Sequence, residues 1–153
     1  MAHSPRVKYI PSDHLTEALR VLANSIGLNY IKPENIYGVV SIGSTSRAYA
    51  RIWGTPPILV AVDKCQPIYV IELIYPRIQG KKCNDILRVL VHELLHIPRT
   101  FSGSLRTHGE WSKAKNITKY CEKLGRETKE EICRLISYSI DEVKKYSSKY
   151  ALH

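Results

Sequence analysis

No apolar run in the 153-residue chain is long enough to span a bilayer, which takes ~18–20 consecutive residues. The longest apolar stretches, Ile58–Val62 and Ile68–Ile74, are the size of strands. The opening Met1-Ala2-His3-Ser4-Pro5-Arg6 lacks the apolar core of a secretion signal. A soluble, cytoplasmic protein without membrane contact is the resulting expectation. None of Cys65, Cys83, Cys121 and Cys133 belongs to a CxxC pair, which argues against a zinc ribbon or a thioredoxin-like centre. Four buried thiols and disulfide pairing both remain open. There is no repeat, no low-complexity tract and no linker. One domain over residues 1–153 is expected, frayed at about 1–8 and 147–153. Acidic side chains are scarce, 14 against 23 Lys plus Arg, for a net charge of +9. That field favours nucleic acid or acidic surfaces. The cations are dispersed, however, as Arg6/Lys8, Lys81/Lys82, Lys113/Lys115/Lys119 and Lys144/Lys145/Lys149. A solvated basic surface is therefore the plainer reading.

What is present reads as a globular α+β chain, with 44% hydrophobic and 24% charged residues. Ser12 can cap a helix over about 13–26, whose apolar positions Leu15, Ala18, Leu19, Leu22, Ala23 and Ile26 recur at helical spacing. Gly27 stops it. The pattern then turns β-rich. Ile36–Ile42, Arg47–Trp53, Ile58–Val62 and Ile68–Ile74 are strand candidates. They predict a three- or four-stranded mixed or antiparallel sheet. Helical spacing returns from Asn84 or Asp85, with Ile86, Leu87, Leu90, Val91, Leu94 and Leu95 on one stripe. Pro98 ends this helix near Ile97. Two further helices are expected, from about Gly109 to Leu124 and from about 128 to 146.

Within the middle helix lies His92-Glu93-Leu94-Leu95-His96, an HExxH sequence. Residues one turn apart share a helix face, so both imidazoles can reach one ion at ~2.0–2.1 Å. Glu93 is rotated by about 100° from His92. It suits a general base toward a metal-activated water better than a ligand. A catalytic zinc site needs a third protein ligand. His108 is the preferred candidate, because Pro98 and the Phe101-Ser102-Gly103-Ser104 turn let the chain double back. Glu110 is its main rival, and Glu122, Glu130 and Glu131 are weaker ones. His3, His14 and His153 are read as exposed and without a role. The longer HExxHxxGxxH pattern fails, since Arg99 stands at its Gly position and Ser102 at its third His position.

The run Tyr69–Ile74 (YVIELI) followed by Leu87–Gly109 (LRVLVHELLHIPRTFSGSLRTHG) resembles the phage and archaeal metallopeptidase family. Ser46–Gly54 (SRAYARIWG) is similar to a further stretch of that family. The likeness covers about residues 36–110. A looser likeness is to the SprT-like minimal zincins. The resemblance implies a small zincin-like fold, Zn²⁺ as cofactor, His92, His96 and His108 as ligands, and Glu93 as the catalytic carboxylate.

The activity that follows is zinc-dependent hydrolysis of peptide bonds in a peptide or protein substrate. Arg106, Arg99 and Tyr69 are candidate donors to the developing oxyanion. Strand 69–74 is a candidate edge for an extended substrate. Glu72 is either a carboxylate orienting a ligand histidine or an ordinary surface residue. The alternatives are a metal-dependent nuclease and a nucleic-acid-associated, non-catalytic zinc-binding protein. Glu93 beside the first histidine, and the long gap to His108, favour the peptidase. The basic surface leaves contact with nucleic acid as a further expectation.

Overall fold

A computed structural model describes residues 6–149. Its elements are β1 (Lys8–Pro11), α1 (Asp13–Ser25), β2 (Ile36–Ile42), β3 (Ala50–Gly54), α2 (Pro57–Asp63), β4 (Tyr69–Tyr75), α3 (Cys83–Leu95), α4 (Ala114–Cys121) and α5 (Arg126–Lys149). The fold is α+β, with a mixed sheet in the order β1-β2-β4-β3. The two inner strands are parallel, from Ile36 opposite Tyr69 to Ile42 opposite Tyr75. β1 and β3 pair antiparallel at the two edges.

Side-chain alternation splits the sheet into two faces. Ile36, Gly38 and Val40 of β2 lie opposite Tyr69, Ile71 and Leu73 of β4, and these form the buried face. α1 packs there so closely that a Cβ on Gly38 would collide with the Leu15 side chain. Ser12 caps α1 as its position requires, accepting the Leu15 N–H at 3.1 Å. α5 packs on α1 through the buried Ile132, Ile136 and Val143. α3 buries the whole predicted stripe, Ile86, Leu87, Leu90, Val91, Leu94 and Leu95. Each such side chain contributes roughly 1.5–3 kcal/mol. The stripe therefore fixes the rotation of α3, and every other side chain on that helix follows.

The structure corrects several expectations. Ile58–Val62 is no strand but part of α2. Pro57 opens it at the helix start, where its missing N–H costs nothing. No sheet edge reaches these β-branched residues, and Ile58 and Val62 stay 72% and 78% exposed. The helix expected from Gly109 begins instead as a 3-10 turn, Glu110–Ser112, with α4 following after an extended Lys113. The last helix is longer than its apolar stripe, Arg126–Lys149 rather than 128–146. Strand 69–74 is central, so the edge on that side of the sheet is β3. Cys83 and Cys133 form a disulfide joining the start of α3 to α5. Cys65 is exposed and Cys121 half-buried, both as free thiols. Among the described residues no helix is long and apolar enough to cross a membrane. His3, His153 and the outermost parts of the expected frayed ends lie outside the described residues.

Candidate metal centre

With its apolar stripe turned inward, α3 presents His92 and Glu93 at its surface, and His96 caps its end in helical geometry. His108 comes back to them along a loop held at four points. Pro98 stops the helix, and Phe101 turns at a positive φ of 48°. The Phe101 ring then packs edge-on against Tyr69, with centroids 4.8 Å apart. Gly103, at φ 97°, lies against the β3–α2 junction, where a Cβ would strike the Thr55 carbonyl. The Tyr69 hydroxyl accepts the Gly103 N–H at 2.7 Å and donates to the Ser104 carbonyl at 2.9 Å. Arg106 makes the last attachment. Its N–H donates to the His96 carbonyl at 2.6 Å. Its guanidinium donates twice to the Leu95 carbonyl, at 2.9 and 2.7 Å, satisfying an orphan acceptor of the helix end.

The result is a group of three imidazoles. One ring nitrogen from each of His92, His96 and His108 lies within 4.8 Å of the others. The His92 and His108 Nε2 atoms are 3.0 Å apart. Two ring nitrogens that close repel unless a proton or a cation lies between them. Ligands arranged tetrahedrally at ~2.0–2.1 Å from an ion are about 3.3 Å from one another. That spacing falls between these two distances, so the group fits a divalent metal. The His96 Nδ1–H donates to the Arg106 carbonyl at 2.7 Å. This fixes the tautomer and leaves Nε2 with a lone pair for coordination. Burial, then repulsion from neighbouring imidazoles, lowers the pKa of His92. Burial also lowers that of His96, partly opposed by its bond to the Arg106 carbonyl. Both shifts favour the neutral, ligating form.

Burial pushes the Glu93 carboxyl up to about 7. With His92 it lines a cleft of about 390 Å³, whose far wall includes Tyr49 and Ala50 at the start of β3. Trp111 stands against the three imidazoles, its ring centroid 4.8 Å from that of His96 and 5.6 Å from that of His92. Its indole N–H is tied to the Thr107 carbonyl at 3.0 Å, and the Arg106 guanidinium lies 4.8 Å over its ring.

Glu110 stands outside this group and pairs with Lys113 at 2.7 Å. Glu122, Glu130 and Glu131 are also absent from it, as is His14, which pairs with Glu142 near the start of α1. Two candidate oxyanion donors have other work, since Tyr69 holds the loop and Arg106 ties it to α3. Arg99 is exposed at the loop's start. Both readings of Glu72 are wrong. It is fully buried on the sheet face away from α3, where it accepts the Trp53 indole N–H at 2.9 Å and faces Arg51 at 3.6 Å. Strand alternation carries the reason, because Ile71 and Leu73 point to the helices and Glu72 cannot. Trp111 and the Tyr49–Ala50 wall were not foreseen in these roles. HGEW and SRAYARIWG marked the segments but gave no geometry.

Fold and site together define an α+β protein with a three-histidine group able to hold a divalent metal beside a half-buried glutamate. Residues 7–137 match the family model described as "Putative phage metallopeptidase", and the chain belongs to that family. No curated protein and no solved structure matches the chain. Family membership implies a divalent metal and a peptidase, and the match extends the likeness well beyond residues 36–110 in both directions.

Proposed function

We propose that the chain is a zinc-dependent peptidase in which His92, His96 and His108 hold the ion and Glu93 is the general base. The observation that carries this reading is the return of His108 to the HExxH pair, next to a glutamate that opens on a cleft. Three imidazoles with a glutamate beside them are a ligand set that suits a catalytic zinc ion. When bound, the ion supplies Lewis-acid chemistry, acidifying water and polarising a carbonyl.

The protein's own groups do the rest. The Glu93 carboxylate takes a proton from the attacking water and returns it to the leaving amine nitrogen. The Arg106 carbonyl orients His96, and Tyr69 holds the loop that delivers His108. Trp111 covers one side of the imidazoles and keeps bulk water from it. β3 is an edge strand, and its start lines the cleft. An extended peptide can therefore pair with that edge, passing its backbone across Glu93.

Zinc content and cleavage of a casein-type substrate test the reading together. Glu93→Gln keeps stoichiometric zinc and loses roughly 10²–10⁴-fold in turnover. His108→Ala loses zinc, whereas Glu110→Ala keeps it. Full turnover in Glu93→Gln removes the general base, and zinc loss in Glu110→Ala alone moves the third ligand there.

A further inference from the structure

The sheet face turned away from the helices carries a second surface that the metal centre does not use. Alternation and register put Tyr37, Val70 and Trp53 in one row across β2, β4 and β3. Tyr9 and Val39 continue the surface on β1 and β2. The three rings are 42–51% exposed. Tyr9 and Trp53 stand on opposite edge strands, three interstrand steps of ~4.8 Å across the sheet and, by the register, diagonally offset along it. Between them Val39 and Val70 floor a groove of about 300 Å³ with walls almost wholly of carbon.

Charge decides what such a surface takes. The Arg20 guanidinium lies 5.5 Å over the Tyr37 ring and the Arg51 guanidinium 5.6 Å over Trp53. The one carboxylate among the outward-facing residues of the four strands is Glu72. It has no exposure and is neutralised by Arg51 and the Trp53 N–H. The strands of this face therefore offer flat apolar rings and no exposed carboxylate, with the Arg20 guanidinium beside Tyr37, on a chain of net charge +9. A second copy of the chain, equally positive, would be repelled. An extended peptide pairs with a strand edge rather than a sheet face. An anionic polymer with flat apolar faces satisfies both requirements.

We propose that this open sheet face binds single-stranded nucleic acid, with bases stacking on Trp53, Tyr37 and Tyr9 and phosphates drawn to Arg20 and to the net positive charge of the chain. Stacking on aromatic side chains tolerates any base sequence, and the phosphate contacts weaken as salt rises. A duplex keeps its base faces covered and gains only the charge term.

Fluorescence anisotropy of a labelled oligothymidylate with the full chain tests this, in wild type and in Tyr37→Ala and Tyr9→Ala. Each tyrosine is exposed, and circular dichroism confirms that the variants fold. The single strand binds more tightly than a duplex of equal length, and binding falls as salt rises. Each variant weakens it by about 5–100-fold. Trp111→Phe leaves Trp53 as the sole indole, and its emission is quenched on binding. The proposal is overturned if the oligothymidylate does not bind at low salt. Equal affinity for the duplex, with both variants unaffected, also overturns it, leaving diffuse surface charge as the explanation. So does a dimer in sedimentation that the same variants dissociate, which would give the face to a second copy. None of these readouts depends on metal or on peptide cleavage.

Discussion

Removing one oxygen atom distinguishes the loop's architecture from its chemistry. Tyr69→Phe keeps the buried ring and its edge-on packing against Phe101. It deletes the hydroxyl that accepts the Gly103 N–H and donates to the Ser104 carbonyl. The Ser104 carbonyl can turn to water, but the Gly103 N–H is buried. Leaving that donor unpaired costs about 1–3 kcal/mol. The cost falls on the closed loop that carries His108. If closure and metal binding are one event, zinc affinity drops by the same energy, about 5–150-fold, in line with the ~10–100-fold typical of groups that support metal ligands. Competition with a chromogenic chelator measures this directly. Turnover with zinc saturating stays close to wild type. Were the Tyr69 hydroxyl a donor to the oxyanion, the pattern would reverse, with zinc binding unchanged and turnover down ~10²–10³-fold. That reversed pattern would refute the positioning role.

Other outcomes follow from the same geometry. Glu93 has its pKa raised from 4.5 to about 7 by burial, so the metal-free fold binds its proton more tightly than the unfolded chain. Its contribution to stability is greatest below the unfolded value and is lost as pH rises through the folded one. Metal-free Glu93→Gln is therefore more stable than wild type by up to about 3 kcal/mol at about pH 9, and equal to it near pH 4.5. Urea unfolding at the two pH values checks this, and a difference independent of pH would contradict it. The Cys83–Cys133 bridge spans 50 residues, and closing a loop of that length stabilises by about 4 kcal/mol on the chain-entropy account. Cys83→Ser with Cys133→Ser should lose about that much in denaturant unfolding. Gly54→Ala puts a Cβ against the Gly103 carbonyl. It should lower the melting temperature and zinc affinity together, at roughly 1–3 kcal/mol.

Periodicity made the strongest elements legible. β2 occupies Ile36–Ile42 as read, β4 is shifted by one residue to Tyr69–Tyr75, and α1 ends one residue early at Ser25. The stripe of α3 is the one its spacing predicts. In each of these segments the apolar spacing matches the faces that the fold buries, so local pattern and tertiary environment agree. α2 was illegible for the opposite reason. Its Ile-Leu-Val-Ala-Val run has strand composition but no strand neighbour, and only the preceding prolines hint at a helix start. The two histidines of HExxH are coupled by helix geometry, so their common face was readable. The site beyond them depends on distant partners. Tyr69 meets Gly103 and Ser104 only after the loop folds onto β4, and Arg106 meets Leu95 only after it turns back. No local pattern encodes those contacts, so both residues read as candidate catalytic donors. Glu72 went astray because its face depends on strand pairing.

The most direct test of the central claim is the anomalous diffraction signal at the zinc edge from crystals grown with zinc. A single peak is expected at ~2.0–2.1 Å from one ring nitrogen of each of His92, His96 and His108, with the Glu93 carboxylate outside bonding distance. A peak held by His92 and His96 with Glu110 or another carboxylate in place of His108 would contradict it, as would zinc bound elsewhere on the chain.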